Sequence, residues 1–261
     1  MLQIEDRRAP LTDALLERNR RVCAGHGVRY VRRTEGPEGV PPYWWKVFVL
    51  LELMERHRDE VDYAMWIDSD AALVHYARMG PLEVVAWRPG FTMWLSPDAP
   101  PRFWPPFCAG VFLVRNDGAG RCLMRTWRRL YCPQRWSRDA DGRWSSAGRF
   151  AGPDYEQGAF IDHLLHAARW VPRLCVLPYY VFNAVDCAHL HWRTVTVHLA
   201  GPYKDLYGET CARTGLLMLP TDPAAPVRGL GASVVPPAWW CMVLLVCCLA
   251  VWLGVRRVVH R

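Results

Sequence analysis

The chain has 261 residues, of which 51% are hydrophobic, and a formal net charge of +7. This length and composition suit one substantial buried core, so a second independent domain is not required. The arginines are scattered rather than held in one tract, which favours a solvated basic surface over a nucleic-acid partner. No C-x-x-C pair or His/Cys spacing typical of zinc is present. Of the ten cysteines, three lie in an apolar C-terminal run, and the odd remainder cannot pair completely within one chain.

Helical and strand patterns alternate along the first part of the chain, which predicts a parallel α/β sheet there. The segment 132–150 has no periodicity and is predicted to be a long loop. The apolar periods and cap signals predict helices at 11–24, 43–58, 119–131 and 154–169, and strands at 28–31, 63–67, 82–87, 91–95, 107–114, 174–177 and 195–199.

The C-terminal part carries an uncharged apolar run at 238–255, flanked by tryptophans on one side and arginines on the other. Such a run predicts a single transmembrane helix, and a buried core helix is the alternative. The predicted organisation is therefore a domain at 1–209, a Pro/Gly-rich linker at 210–237, a membrane helix at 238–255 and a basic tail at 256–261. Orientation stays open, because the basic tail favours one topology and the charged first residues, which do not resemble a signal peptide, favour the other.

Asp68-Ser69-Asp70 directly follows the apolar run Tyr63–Ile67. A strand that ends in two carboxylates can present both to a hard divalent cation such as Mg²⁺ or Mn²⁺, which in turn neutralises a diphosphate. Aspartates at a strand end are also common turn formers and helix caps, so this motif alone leaves both interpretations open.

Five motifs occur in an order that resembles glycosyltransferase family 34, the galactosyl and mannosyltransferase family. The resemblance covers roughly residues 14–204. It implies a GT-A-like nucleotide-diphospho-sugar transferase fold, with a Rossmann-like mixed sheet flanked by helices. The motifs are W-x-K ending at Lys46, the D-S-D motif, the block Phe107-Cys-Ala-Gly-Val-Phe-Leu-Val-Arg-Asn116, Tyr155-Glu156-Gln157, and Val197-His-Leu-Ala-Gly201.

The resemblance also implies which residues bind the donor and the metal. It assigns Asp68, Asp70 and His198 to the metal, and alternation along 195–199 places His198 on the face opposite Val195 and Val197. A lone strand histidine is more often structural, but two carboxylates with one imidazole suit Mn²⁺, or Mg²⁺. The implied donor-binding residues are Asp68, Ser69, Asp70, Lys46, Cys108 and Gly110.

Four further residues match positions that act on the transferred sugar or the leaving group. Gln157, Asp154 and Glu156 match an acidic-Gln motif at a helix start, although the two acidic residues are equally explained as helix capping. Lys204 matches a lysine near the diphosphate, where a cation would stabilise the charge of the leaving nucleotide.

Two departures from the family pattern bear on activity. Cys108 stands where the family usually has asparagine, and a thiol is a poor hydrogen-bonding group. The short N-terminus leaves only residues 2–5 for the first strand, which in such folds helps to hold the base and ribose. Trp136 and Trp144, in the predicted loop, either stack on sugar rings or anchor the loop by packing.

The sequence therefore predicts a membrane-anchored, Mn²⁺-dependent glycosyltransferase that moves a hexose or pentose from a UDP- or GDP-linked sugar to a hydroxyl of a glycan, protein or lipid, with retention implied by the resemblance. In a eukaryote it would reside in the Golgi or endoplasmic reticulum membranes. One alternative is a haloacid-dehalogenase-like phosphotransferase with Asp68 as nucleophile, although Ala71-Ala72 does not match that class. Another is a catalytically degenerate sugar-binding membrane protein, motivated by Cys108.

Overall fold

A mixed six-stranded sheet forms the centre of the fold in the computed structural model, which describes residues 1–5, 10–74, 80–98, 106–185 and 191–200. The strand order of this sheet is β2-β1-β3-β6-β5-β9, while β4 pairs with β10 and β7 with β8. The strands are β1 (Leu2–Ile4), β2 (Val31–Arg33), β3 (Tyr63–Ile67), β4 (Ala71–Leu73), β5 (Met93–Leu95), β6 (Val111–Arg115), β7 (Trp136–Arg138), β8 (Trp144–Ser146), β9 (Leu174–Val176) and β10 (Thr196–His198).

The N-terminal half of this sheet is parallel, as predicted, because β1 runs parallel to both β2 and β3. At β6, which is antiparallel to β3 and to β5, the sheet becomes mixed, as the family resemblance implied. Its register pairs Tyr63 with Arg115 and Ile67 with Val111. The carboxyl end of β3 therefore lies beside the start of β6. This reversal brings the D-S-D motif and the loop that ends at Gly110 to the same edge of the sheet.

The predicted helices are present, with shifted ends. Pro42 lies in the first turn of its helix, where a missing N–H costs nothing, and Asp117 caps another by accepting from the Gly120 N–H at 2.8 Å. The fourth predicted helix is a short α-helix that continues into a π-helical turn at Ile161–Leu165. The helices are α1 (Pro10–Gly25), α2 (Pro42–Arg56), α3 (Pro81–Trp87), α4 (Gly118–Arg128), α5 (Glu156–Phe160) and α6 (Tyr179–Phe182).

The strand predicted at 82–87 is wrong, because these residues form α3. Pro81 starts the helix, and the Glu83 carboxylate accepts a hydrogen bond from the Gly80 N–H at 2.8 Å. Val84 is the buried residue of the helix. A short apolar run is compatible with either structure, and here the first-turn contacts decide for the helix.

The loop predicted at 132–150 is also only partly right. It contains a 3₁₀ turn at Pro133–Arg135 and the antiparallel hairpin β7–β8. The Ser137 and Ser145 hydroxyls lie 2.9 Å apart across this hairpin. Alternating hydrophobic residues are lacking in these strands, so a period-two search does not detect them.

Both faces of the main sheet are covered, as expected for a sheet of α/β type. Alternate residues of β3 and β6 point to opposite sides. Trp66 and Phe112 pack into a core with α2, α4 and α5, whereas Ile67 and Val111 pack into a second core with α1 and α6. The first core is rich in buried aromatic rings, including Trp44, Phe107, Trp127 and Phe160.

Within the ranges that the structure describes, no helix combines the length and apolar character that crossing a membrane requires. The predicted linker at 210–237, the predicted membrane helix at 238–255, the basic tail at 256–261 and Lys204 lie outside the described residues. The proposed domain boundaries accordingly stay predictions.

Candidate functional site

Asp68, Asp70 and His198 come together at one edge of the sheet, with one potential ligand atom from each within 4.8 Å of the others. The two aspartates lie in the turn between β3 and β4, and His198 is the last residue of β10. The β4–β10 pairing sets His198 opposite Ala71. As a result His198 Nε2 lies 3.3 Å from Asp70 Oδ1 and 4.0 Å from Asp68 Oδ2. Ser69, between the aspartates, is buried.

Buried amide side chains hold the backbone of this turn. Gln3 Nε2, on β1, donates to the carbonyl oxygens of Asp68 at 3.0 Å and Ala71 at 3.5 Å. Asn19 Nδ2, on α1, donates to Ala71 O at 2.9 Å. The Tyr30 hydroxyl donates to Gln3 Oε1 at 2.7 Å, which fixes the orientation of that amide. Sequence reasoning missed these residues, and β1 thus serves to position the turn despite its short length.

His198 is 4% exposed and Thr196 is fully buried, so the face of β10 opposite the valines is an internal polar face. The Thr196 hydroxyl donates to Phe182 O. Burial lowers the pKa of His198, but the neighbouring Cys108 and Asp70 outweigh it and raise this pKa well above the ordinary value. A metal ion binding through Nε2 would have to displace any proton on that nitrogen.

Gly110 makes the close approach of the imidazole geometrically feasible. A Cβ at this position would lie 2.1 Å from His198 Cε1. The carbonyl of Gly110 accepts from the Asp68 N–H at 2.7 Å, which joins this loop to the D-S-D turn. Cys108 also faces the imidazole, with Sγ 3.7 Å from Nδ1. In the described part of the chain Cys23, Cys108, Cys122, Cys132 and Cys175 are all free thiols.

Lys46 forms a buried ion-pair network with two acidic residues. Its Nζ lies 3.2 Å from Asp68 Oδ1 and 3.1 Å from Glu156 Oε1, and it donates to Ala109 O at 3.2 Å. Burial would lower the pKa of Lys46, but Asp68 and Glu156 outweigh it and raise this pKa. Burial raises the pKa of Glu156, an effect that Lys46 partly offsets. Trp66 Nε1 donates to Asp68 Oδ1 at 2.6 Å, so that carboxylate is held from two sides.

The residues of the acidic-Gln motif separate in space. Gln157 Oε1 accepts from the Ala109 N–H at 2.8 Å, which places this side chain against the loop that carries Cys108 and Gly110. Glu156 is buried beneath Lys46. The Asp154 carboxylate instead accepts from the Ser146 hydroxyl at 2.7 Å, on the β7–β8 hairpin. Contact of these residues with a sugar stays a prediction.

Trp136 packs into an aromatic cluster and is 8% exposed. Its ring stacks on Tyr43 at a centroid distance of 5.8 Å and meets Tyr155 edge-on at 4.9 Å. Of the two hypotheses for Trp136, the contacts favour packing. Trp144 is partly exposed, and the Arg138 guanidinium lies 5.9 Å from its ring centroid.

The donor set fits a divalent cation. Two carboxylates and one imidazole from separate elements converge, and mixed oxygen and nitrogen donors suit Mn²⁺. The imidazole edge that carries Nε2 faces the carboxylates. The residues present are therefore sufficient to hold such an ion while leaving positions for ligand oxygens.

Comparison with known proteins identifies the fold but not a family. No family model and no curated protein matches the chain. Among solved structures, a glycosyltransferase involved in the glycosylation of the major capsid of PBCV-1 aligns with a TM-score of 0.56 and 15% identity, covering 80% of this chain and 98% of that one. A Drosophila β-1,4-galactosyltransferase 7 mutant in complex with manganese, UDP-Gal and xylobiose aligns with a TM-score of 0.37 and 13% identity, covering 78% of this chain and 72% of that one. The described part of the chain thus has a mixed α/β fold of GT-A type, similar to the first of these enzymes.

Proposed function

We propose that this protein is a metal-dependent glycosyltransferase that moves a sugar from a nucleotide-diphosphate donor to a hydroxyl acceptor. The observation that carries the proposal is the convergence of Asp68, Asp70 and His198 within 4.8 Å on a fold similar to that of a glycosyltransferase. The fold alone hosts more than one chemistry, so the site has to supply the argument for function.

Different residues of the chain would bind the metal ion and the sugar. A divalent cation bound by Asp68, Asp70 and His198 supplies charge neutralisation for the diphosphate leaving group. Lys46 keeps one Asp68 oxygen in place through its 3.2 Å ion pair. Gln157, at the adjoining loop, has an amide nitrogen with which it can donate to a sugar hydroxyl while its oxygen accepts from Ala109.

Finer features of the proposal rest on the sequence and on the family resemblance. They include a hexose or pentose as the transferred sugar, retention at the anomeric carbon, Lys204 beside the diphosphate and Mn²⁺ as the preferred metal. A single C-terminal membrane helix at 238–255 and residence in an endomembrane of the Golgi or endoplasmic reticulum type belong to the same set. The metal site does not depend on any of these features, so the proposal of a metal-dependent glycosyltransferase does not require them.

The test is a thermal-unfolding screen of the full chain against UDP- and GDP-linked sugars with and without Mn²⁺. A ligand that binds the native state alone raises the Tm, and the proposal expects a donor whose stabilisation needs the metal. Hydrolysis or transfer of that donor is then followed by release of the nucleoside diphosphate. No metal-dependent donor binding across the panel would refute the assignment.

A second candidate is a nucleotide-sugar-binding protein without turnover, and Cys108 is the observation that favours it. A thiol here makes weaker hydrogen bonds than an asparagine amide, and it faces His198. Metal-dependent binding of a donor, with no hydrolysis or transfer in any acceptor screen, would select this candidate. The same outcome in a Cys108→Asn variant would show that the departure at this position is not the cause.

A further inference from the structure

Asn183, at the end of α6, contacts the side of His198 that faces away from the carboxylates. Its Oδ1 lies 3.2 Å from His198 Nδ1, and the residue is 1% exposed. Its Nδ2 donates to Pro97 O at 3.0 Å and to Ser96 O at 3.4 Å. A buried amide with both ends engaged is held in one orientation.

The carbonyl oxygens of Ser96 and Pro97 determine the orientation of the Asn183 amide. Both Pro97 O and Ser96 O are acceptors, so the nitrogen of Asn183 has to face them and the oxygen has to face His198. An oxygen at 3.2 Å from Nδ1 can pair with that nitrogen only if Nδ1 carries a proton. The lone pair used for metal binding is then left on Nε2, the atom that points towards Asp68 and Asp70.

The backbone around Asn183 is tied to β10 on both sides of the contact. Val195 N donates to Val181 O, and His198 N donates to Ala184 O, both at 2.8 Å. The Thr196 hydroxyl donates to Phe182 O between them. Movement of Asn183 relative to His198 would break these bonds, so the amide is a rigid support for the ring.

Cys108 is the competing partner for the same nitrogen, because its Sγ lies 3.7 Å from Nδ1. A thiol is a weak partner both as donor and as acceptor, whereas the amide oxygen is closer to Nδ1 and the stronger partner. The oxygen of Asn183 therefore governs the tautomer.

We infer that Asn183 is a positioning residue of the metal site, which keeps the His198 proton on Nδ1 and presents Nε2 to the ion. This inference rests on the proposed metal-dependent function and assigns it a residue outside the ligand set. Outer partners of this kind change metal affinity about 10–100-fold when they are removed.

The test compares Asn183→Leu, which removes the acceptor, with Asn183→Asp, which keeps an acceptor and loses the same two bonds to Pro97 and Ser96. Asn116→Leu is the matched control, since Asn116 is also a buried hydrogen-bonded asparagine but lies at the opposite end of β6 from Gly110. The Kd for Mn²⁺ is measured from the electron paramagnetic resonance signal of the free ion, and stability from thermal unfolding without metal.

The expected result is a Kd about 10–100-fold weaker for Asn183→Leu and within about threefold of the wild type for Asn183→Asp. Asn116→Leu should lose stability and keep the wild-type Kd. Equal losses of affinity in both Asn183 variants would reduce the residue to a packing role and overturn the inference. An unchanged Kd in Asn183→Leu would overturn it as well.

A second measurement needs no variant. In wild-type protein labelled with ¹⁵N-histidine and loaded with diamagnetic Mg²⁺, the His198 Nδ1 resonance should show a directly bonded proton, and a proton on Nε2 instead would overturn the inference. Failure of the wild type to bind Mn²⁺ would sink the proposed function together with it. Binding to the wild type with Asn183→Leu unaffected would sink this inference alone.

Discussion

Replacing Gly110 by alanine tests the most crowded contact of the site. The new Cβ would lie 2.1 Å from His198 Cε1 and 2.8 Å from both ring nitrogens, whereas ordinary contacts begin near 3.4 Å. The ring therefore has to retreat by roughly 1 Å, or the loop has to move by the same amount. Cys108 and Asn183 both contact Nδ1 of this buried ring, so moving the ring disturbs a packed region.

Two effects set the expected change in the stability of Gly110→Ala, namely overpacking of the core and weaker stabilisation by Mn²⁺. Forcing a methyl group into a packed core costs about 1–3 kcal/mol. In wild-type protein, Mn²⁺ at about 100 times its Kd adds roughly 2.7 kcal/mol of stability. If displacement of His198 weakens binding tenfold, the same Mn²⁺ concentration adds only about 1.4 kcal/mol, and a hundredfold loss leaves about 0.4 kcal/mol.

The assay is thermal unfolding of both proteins with and without Mn²⁺. Gly118→Ala is the matched control, because no atom lies within 4 Å of a Cβ at that helical position. The control should be neutral or gain up to about 1 kcal/mol, with the full Mn²⁺ shift. A Gly110→Ala protein with wild-type Tm and the full shift would refute the contact between Gly110 and His198.

Three further predictions concern the ligands, the buried ion pair and the aromatic cluster. Asp70→Asn should abolish Mn²⁺-dependent turnover of the donor. The control Asp117→Asn, which keeps a helix-capping side chain, should retain this turnover. Unchanged turnover in Asp70→Asn would disprove the assignment of Asp70 as a metal ligand. Lys46→Met should lose about 3–5 kcal/mol at neutral pH in denaturant unfolding, because it leaves a buried Glu156 carboxylate unpaired. Without Lys46, burial raises the folded-state pKa of Glu156 further above its unfolded value. The variant should therefore be destabilised less at acidic pH and should lose stability as the pH rises through that folded pKa. A destabilisation that does not change with pH would contradict this explanation. Trp136→Ala should destabilise by about 3–5 kcal/mol with unchanged KM for the acceptor, and a raised KM with intact stability would instead support sugar stacking.

Hydrophobic periodicity and capping residues predicted a helix or strand correctly where the segment is long or carries its own end signals. The helices α1, α2 and α4 and the strand β3 were predicted within a few residues, because their apolar periods and caps depend on neighbours in the chain. Short segments were predicted less consistently, since the runs at 91–95, 174–177 and 195–199 do contain strands but the run at 82–87 does not. The residues of α3 read equally well as a strand, and the hairpin β7–β8 has no hydrophobic alternation to detect.

The three candidate metal ligands were predicted from the sequence, whereas the residues that support them were not. The D-S-D motif is visible because two carboxylates follow an apolar strand, and the resemblance supplied His198, which the structure brings to it. The carboxylate of Asp154 contacts the β7–β8 hairpin, and the contact with a sugar that the resemblance implies for it stays a prediction. Nothing in the spacing of Gln3, Asn19 or Asn183 marks them as supports, since a polar residue in a short element looks the same whether it is buried or solvated.

Hydrophobic periodicity and the identities of the acidic residues are written along the chain, and they were enough to predict an α/β protein with a candidate cation site. The antiparallel entry of β6, the meeting of His198 with residues about 130 positions earlier and the raised pKa of His198 arise only after folding. These features depend on distances between remote segments and on burial, because hydrogen bonding, desolvation and Coulomb attraction act through space rather than along the backbone.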